Sequence, residues 1–128
     1  MLRASYAAAL ALCAAPVAAE PATVARITDG DTFRTTSGER IRIAAIDAPE
    51  TIRSNAKCAA EITRGKASTA ELRALIEGRA VDLTRTGQSY NRTVAIVRLD
   101  GRDVAAEMVR RGAARPWLRH APKPDWCS

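Results

Sequence analysis

The chain has 128 residues, of which 47% are hydrophobic and 27% charged, and its formal net charge at pH 7 is +6. This composition is typical of one ordinary globular domain and argues against a disordered chain or a repeat array. A positive surplus favours polyanionic partners, but only weakly, because many surface arginines are simply solvated.

The N-terminal residues have the pattern of an export signal. Leu2-Arg3 gives a short positive start, Tyr6–Ala15 is an apolar run, and Val17–Ala19 offers the small residues of a cleavage site. The run is apolar on all sides and too short to cross a bilayer, which argues against an amphipathic core helix and a membrane anchor. We therefore expect residues 1–19 to be removed and residues 20–128 to form a periplasmic or secreted domain free of the membrane.

Two cysteines remain in the mature chain. Cys13 would be lost with the signal, and Leu12 stands where a lipidated cysteine needs a small residue. In an oxidising compartment Cys58 and Cys127 should form a disulfide, which would close a loop of about 70 residues and stabilise the fold by about 4 kcal/mol. A metal or redox pair is the weaker alternative, because the spacing is not CxxC and we expect His120 to be exposed.

Short alternating runs separated by turn signals begin the mature chain. Val24–Thr28, Asp31–Thr36 and Arg40–Ile46 read as three antiparallel strands, joined by turns at Asp29-Gly30 and Ser37-Gly38.

A loop and a helix follow these strands. Residues 47–60 lack periodicity, whereas Glu61–Glu77 has apolar residues at helical spacing, with Gly78 placed as a C-terminal cap. Gly65 weakens the first turns of this helix.

Two further strands, Ala80–Arg85 and Thr93–Leu99, precede a short helix Val104–Arg111 that Asp103 can cap and Gly112 can end. The order predicts a mainly β protein with two or three helices, whose five strands close into an OB-fold barrel. Such barrels commonly bind oligonucleotides, although a fold alone does not establish a function.

Two short turns concentrate four carboxylates, in Asp29-Gly30-Asp31-Thr32 and Asp47-Ala48-Pro49-Glu50. Clustered oxygen ligands without Cys or His suit Ca²⁺, Mg²⁺ or Mn²⁺ and disfavour Zn²⁺. Asp29 is readily explained by turn formation, but neither turn formation nor packing explains Asp31 or Asp47. These two side chains are the candidate metal ligands.

Phosphodiester hydrolysis also needs an activated water and positive charge for the transition state. Pro49 restricts its neighbours, so that the Ala48 carbonyl could face the metal and Glu50 could face a water. Arg42 and Arg92 could bind phosphate oxygens. Because Arg42 and Asp47 are five residues apart, they reach one site only if the strand coils, bulges or ends before Asp47.

The segments Asp29–Thr32, Arg42–Glu50 and Tyr90–Ala95, in this order and spacing, resemble the staphylococcal (micrococcal) nuclease family. The resemblance covers about residues 23–117, and its middle segment is the most specific. It implies an OB-fold and a metal-dependent hydrolase, a Ca²⁺-dependent endonuclease that cleaves DNA and RNA and leaves 3′-phosphate ends. We expect a monomer without an obligate protein partner.

Matched by position, the family's functional residues are metal ligands, catalytic groups and a substrate contact. The resemblance implies that Asp31, Asp47 and the Ala48 carbonyl bind Ca²⁺, that Glu50 is the candidate general base, that Arg42 and Arg92 bind the transition state, and that Tyr90 contacts substrate. Packing of Tyr90 on the barrel is an equal alternative. Asn91 replaces a usual glycine, and asparagine tolerates a left-handed φ.

Two other functions compete with the enzyme. A nucleic-acid-binding barrel that had lost activity should lack Arg42, Glu50 or Arg92, and all three are present. An exported domain with a structural Ca²⁺ site would need neither the arginines nor Glu50.

Overall fold

The computed structural model describes residues 2–12 and 18–128. Met1 and residues 13–17 lie outside the described residues, so the assignments of Cys13 and Val17 to an export signal stay predictions. Residues 2–12 are exposed and have no regular secondary structure. In the described part of the chain, no helix is both long and apolar enough to cross a membrane.

Eight strands and two helices occur within residues 18–128. In chain order they are β1 (Glu20–Asp29), β2 (Thr32–Thr35), β3 (Arg40–Ile43), β4 (Ile46–Asp47), α1 (Ala59–Ile76), β5 (Ala80–Ser89), β6 (Arg92–Leu99), β7 (Arg102–Asp103), α2 (Val104–Arg110) and β8 (Arg115–Pro116). The two helices are those that the sequence predicted, and five of the eight strands are only two or four residues long.

Five of the strands close into a barrel. Strand β1 pairs with β2 and β5, β2 pairs with β3, and β5 pairs with β6, all antiparallel. Parallel pairing of β3 with β6 joins the two ends of this sheet. The result is a closed, mixed five-stranded barrel, which confirms the predicted OB-fold.

Alternate residues of these strands fill the barrel, because successive side chains point to opposite faces of a sheet. Phe33, Ile41, Ile43, Leu83 and Val97 are completely buried. Both helices contribute apolar side chains to the same core, namely Leu72, Ile76, Val104 and Met108.

The third strand ends three residues earlier than its apolar pattern predicts. Strand β3 stops at Ile43, and the chain turns through Ala44 and Ala45, whose φ is +67°. The Ala45 carbonyl accepts a hydrogen bond from the Trp117 N–H at 2.8 Å, and β4 pairs with β8 instead of extending β3. The prediction of a strand to Ile46 is therefore wrong, because a C-terminal partner separates β4 from the barrel.

The turn between β1 and β2 also differs by one residue. Asp29 pairs with Thr32, so the turn consists of Gly30 and Asp31 and not of Asp29 and Gly30. Gly30 is required by its surroundings, because a Cβ atom there would lie 1.8 Å from the Ser68 Oγ. The turn consequently packs directly on α1.

Three local predictions are confirmed. Gly78 follows α1 with a φ of +76°, and the Asp103 carboxylate caps α2 by accepting a hydrogen bond from the Ala105 N–H at 2.9 Å. Cys58 and Cys127 form a disulfide, with their Cα atoms 6.1 Å apart. This bond fastens the C-terminal residues to the start of α1.

Candidate active site

One cavity of about 1000 Å³ opens beside the ends of β1, β3 and β6. Side chains and backbone from four separate parts of the chain line it. Among its lining residues are all seven that were predicted for metal binding, catalysis and substrate contact: Asp31, Arg42, Asp47, Ala48, Glu50, Tyr90 and Arg92.

The two candidate metal ligands meet at one guanidinium group. Asp31 and Asp47 are only 6% and 2% exposed. The Arg42 Nη2 atom lies 3.3 Å from Asp31 Oδ2 and 3.9 Å from Asp47 Oδ1. Arg42 and Asp47 share this site because β3 ends before Asp47, the last of the three possibilities that the sequence left open.

Asp31 ties the two acidic turns together. Its Oδ2 atom accepts a hydrogen bond from the Ala48 N–H, and its Oδ1 atom accepts one from the Thr32 hydroxyl, both at 2.9 Å. The Asp29 carboxylate accepts a hydrogen bond from the Asp31 N–H at 3.1 Å, which supports its predicted role in the turn. Burial and the neighbouring Asp31 carboxylate raise the pKa of Asp29 to about 7.

Asp47 contacts two residues of the C-terminal segment that the sequence analysis did not identify as site residues. Its Oδ2 atom accepts a hydrogen bond from the Trp126 indole N–H at 2.9 Å, and its Oδ1 atom lies 3.4 Å from the Lys123 Nζ. Burial raises the pKa of Asp47, and this effect exceeds the lowering by Trp126 and Lys123. Asp47 and Trp126 are 79 residues apart in the chain, and no local pattern relates them.

The backbone of Glu50 is held by a buried glutamate that the sequence analysis missed. Glu61 is 3% exposed, and its two carboxylate oxygens accept hydrogen bonds from the N–H groups of Glu50 at 2.9 Å and Lys57 at 3.1 Å. Burial raises the pKa of Glu61, but these two hydrogen bonds and nearby lysines lower it by more. One sequence feature could have identified Glu61: it lies at helical spacing from Gly65 and Leu72, which places it on the inward face of α1.

Gly65 lets α1 approach the same segment closely. A Cβ atom at this position would lie 2.4 Å from the Glu50 carbonyl oxygen and 2.8 Å from that of Pro49. Glycine at this position therefore allows the contact that positions Glu50.

The second arginine reaches the cavity through the parallel strand pair. Arg42 is paired with Val94, and Arg92 lies two residues before Val94 on β6, so both arginines are on the same face. The Arg92 Nη2 atom is 3.5 Å from the Ser89 hydroxyl.

Tyr90 projects into solvent beside Arg92. Its side chain is 95% exposed, and the Arg92 Cζ atom lies 6.0 Å from the centre of its ring. This exposure contradicts the alternative in which Tyr90 packs on the barrel. The left-handed residue of this turn is Tyr90, with a φ of +56°, and not Asn91 as predicted. The Asn91 side chain instead accepts a hydrogen bond from Arg40 at 2.6 Å.

The donor set around Asp31 and Asp47 fits a hard cation. Asp31 and Asp47 both supply carboxylate oxygens, the ligand type that Ca²⁺ prefers. Within the described residues, no group of three or more His, Cys, Asp or Glu side chains is arranged to hold a metal ion. A cation bound by Asp31, Asp47 and the Ala48 carbonyl would therefore take its other ligands from water or substrate.

Replacing Gly65 with alanine should move the backbone of Glu50. We expect Gly65→Ala to lower the free energy of unfolding by about 2 kcal/mol, because the clash outweighs the better helix propensity of alanine. Urea denaturation would measure the change. The matched control is Gly87→Ala, since a Cβ atom there meets nothing within 4 Å; equal effects of the two substitutions would contradict the prediction.

The lowered pKa of Glu61 predicts a pH-dependent contribution to stability. A depressed pKa means that the contribution is complete above the unfolded value of about 4.3 and is lost as the pH falls through the folded pKa. The difference in unfolding free energy between wild type and Glu61→Gln should therefore be constant near neutral pH and shrink below about pH 4. Denaturation curves from pH 3 to 7 would measure it, and a difference that grows on acidification would refute the assignment.

Comparison with known proteins agrees with this geometry. A model of the staphylococcal nuclease homologue family matches residues 40–125, more than half of the chain. The matched range contains Arg42, Asp47, Glu50 and Arg92 and begins after Asp31. No curated protein matches the chain significantly. On the family match, the chain belongs to the staphylococcal nuclease homologue family.

Proposed function

We propose that this protein is an exported, Ca²⁺-dependent endonuclease that hydrolyses phosphodiester bonds in DNA and RNA. The observation that carries the proposal is the convergence of two buried carboxylates, Asp31 and Asp47, with Arg42, Arg92 and Glu50 on one cavity. Family membership supports a nuclease, and the cavity contains the residue types that phosphodiester hydrolysis requires.

The arginines bind the phosphate group. Their guanidinium groups can each donate two hydrogen bonds to phosphate oxygens, and both lie on the same face of the β3–β6 pair. Arg42 lies next to Asp31 and Asp47, so it would place the scissile phosphate beside the acidic pair. Exposed Tyr90 offers a ring on which a neighbouring base can stack.

Asp31, Asp47 and the Ala48 carbonyl would hold Ca²⁺. When bound, this cation supplies positive charge that polarises the phosphate oxygens. The hydrogen bond from the Ala48 N–H to Asp31 joins the two turns, and it thereby fixes the positions of the three proposed ligands relative to one another.

Glu50 orients the attacking water and accepts its proton. The water oxygen bonds to phosphorus, the bond from phosphorus to the 5′ oxygen breaks, and that oxygen leaves with a proton from solvent. The products are a 3′-phosphate and a 5′-hydroxyl. The hydrogen bond from the Glu50 N–H to Glu61 and the close packing at Gly65 fix the position of Glu50.

The competing functions explain less of the site. A binding barrel would use the arginines but has no need of a glutamate whose backbone is fixed by a buried partner. A structural Ca²⁺ site would use the carboxylates but not Arg92. Export is supported by the signal pattern of residues 1–19 and by the disulfide, a bond typical of oxidising compartments.

Cleavage should depend on the metal. We expect the purified protein to degrade plasmid and single-stranded DNA and RNA with Ca²⁺ and to stop when a chelator is added, because the proposed transition state needs the cation. Gel electrophoresis measures cleavage, and end-labelling tests for 3′-phosphates. Absence of metal-dependent cleavage at every pH tested would refute the proposed enzyme.

Lysine at either arginine position should slow turnover without unfolding the protein. We expect Arg42→Lys and Arg92→Lys each to lower kcat by about 10²- to 10³-fold, because lysine cannot make the paired hydrogen bonds to phosphate. Thermal denaturation verifies folding. The control is Arg26→Lys on the exposed side of β1; retention of full activity by both site variants would contradict the proposal.

A further inference from the structure

The C-terminal tail, residues 117–128, inserts a positive charge into the acidic part of the cavity. The Lys123 Nζ atom lies 3.4 Å from Asp47 Oδ1 and 3.3 Å from Glu50 Oε1. One ammonium group thus contacts a proposed metal ligand and the proposed base at the same time. The motifs that identified the site do not include this lysine.

The tail is anchored on the N-terminal side of this lysine. The Trp117 N–H donates a hydrogen bond to the Ala45 carbonyl at 2.8 Å, and the Trp117 indole N–H donates one to the Ala121 carbonyl at 2.9 Å. Pro122 and Pro124 flank the lysine and restrict its backbone. Little backbone conformational entropy therefore remains to be lost when the ammonium group enters the cavity.

A second set of contacts anchors the tail on the C-terminal side. Trp126 is 4% exposed, and its indole N–H bonds to Asp47. The Trp126 carbonyl accepts a hydrogen bond from Arg64 at 2.6 Å, and Cys127 is bonded to Cys58. The lysine is therefore part of a tail that is held in place at both ends.

The two oxygens of Asp47 are used differently. The Oδ2 atom accepts the indole hydrogen bond, so Oδ1 is the oxygen left for a cation. Lys123 lies 3.4 Å from this atom, closer than Arg42 at 3.9 Å. The Asp47 side chain is buried, whereas the Lys123 side chain is 36% exposed and has a path to solvent. The lysine can therefore leave while the carboxylate stays.

We propose that Lys123 is a tethered cation that competes with Ca²⁺ for Asp47 and holds Glu50 until the metal binds, so that it sets the metal affinity of the site. This inference rests on the proposed function. A site that is occupied part of the time by an internal competitor binds its ligand more weakly, in proportion to the fraction of time that it is free. Binding of Ca²⁺ would also release Glu50, which couples metal binding to the availability of the base.

Calorimetric titration of the protein with Ca²⁺ tests the inference directly. We expect Lys123→Met to lower the Kd for Ca²⁺ by about three- to tenfold, because methionine keeps the chain length and removes the competing charge. Lys66→Met is the matched control, because it makes the same change in net charge on the exposed face of α1. Among the described residues, Lys66 forms no ion pair. Its Kd should equal that of the wild type.

The possible outcomes separate the inference from the proposed function. Equal Kd values in wild type, Lys123→Met and Lys66→Met would overturn the competition and leave a Ca²⁺ site intact. Equal decreases in both variants would show a general charge effect and would also overturn it. If no form binds Ca²⁺ by calorimetry or by a Ca²⁺-dependent rise in Tm, both the competition and the proposed cofactor fail. Lys123→Gln, with the same expected decrease, provides a second test if the methionine variant does not fold.

Discussion

The parallel pairing of β3 with β6 is the constraint on which both the fold and the site depend. It joins residues about fifty positions apart, closes the barrel and buries Ile41, Ile43 and Ala95. The same register places Arg42 and Arg92 on one face. A shift of β3 by one residue would turn Arg42 toward the core and Ile41 and Ile43 toward solvent, so burial of the two isoleucines keeps Arg42 on the same face as Arg92.

The acidic cluster is stable because each buried carboxylate has positive or hydrogen-bonding partners. Removing charge from water is costly, and the raised pKa of Asp47 reflects that cost. Asp31 is compensated by Arg42 and a backbone N–H, and Asp47 by Trp126 and Lys123. A cation bound here would replace some of these partners of the carboxylates. The affinity of the site for the cation therefore depends on which partner is displaced.

Local signals predicted most of the fold. Strand alternation, the glycine after α1 and the Asp103 cap each depend on neighbouring residues and were read correctly. The end of β3 was not, because Ile46 continues the apolar pattern and only the distant Trp117 and β8 show where the chain turns. The interpretation of Gly65 was incomplete for the same reason, since its neighbour in space is the backbone of Glu50.

The sequence by itself determined the chemistry that the chain can supply: oxygen ligands in two short turns, two arginines, a glutamate and a pair of cysteines. Residue type and short spacing carry that information. Only the tertiary structure decided that Glu61 holds Glu50 and that Trp126 and Lys123 contact Asp47. Residues that are far apart along the chain can be in contact in the folded domain. These contacts depend on how α1 and the disulfide-anchored tail pack, which no short stretch of sequence specifies.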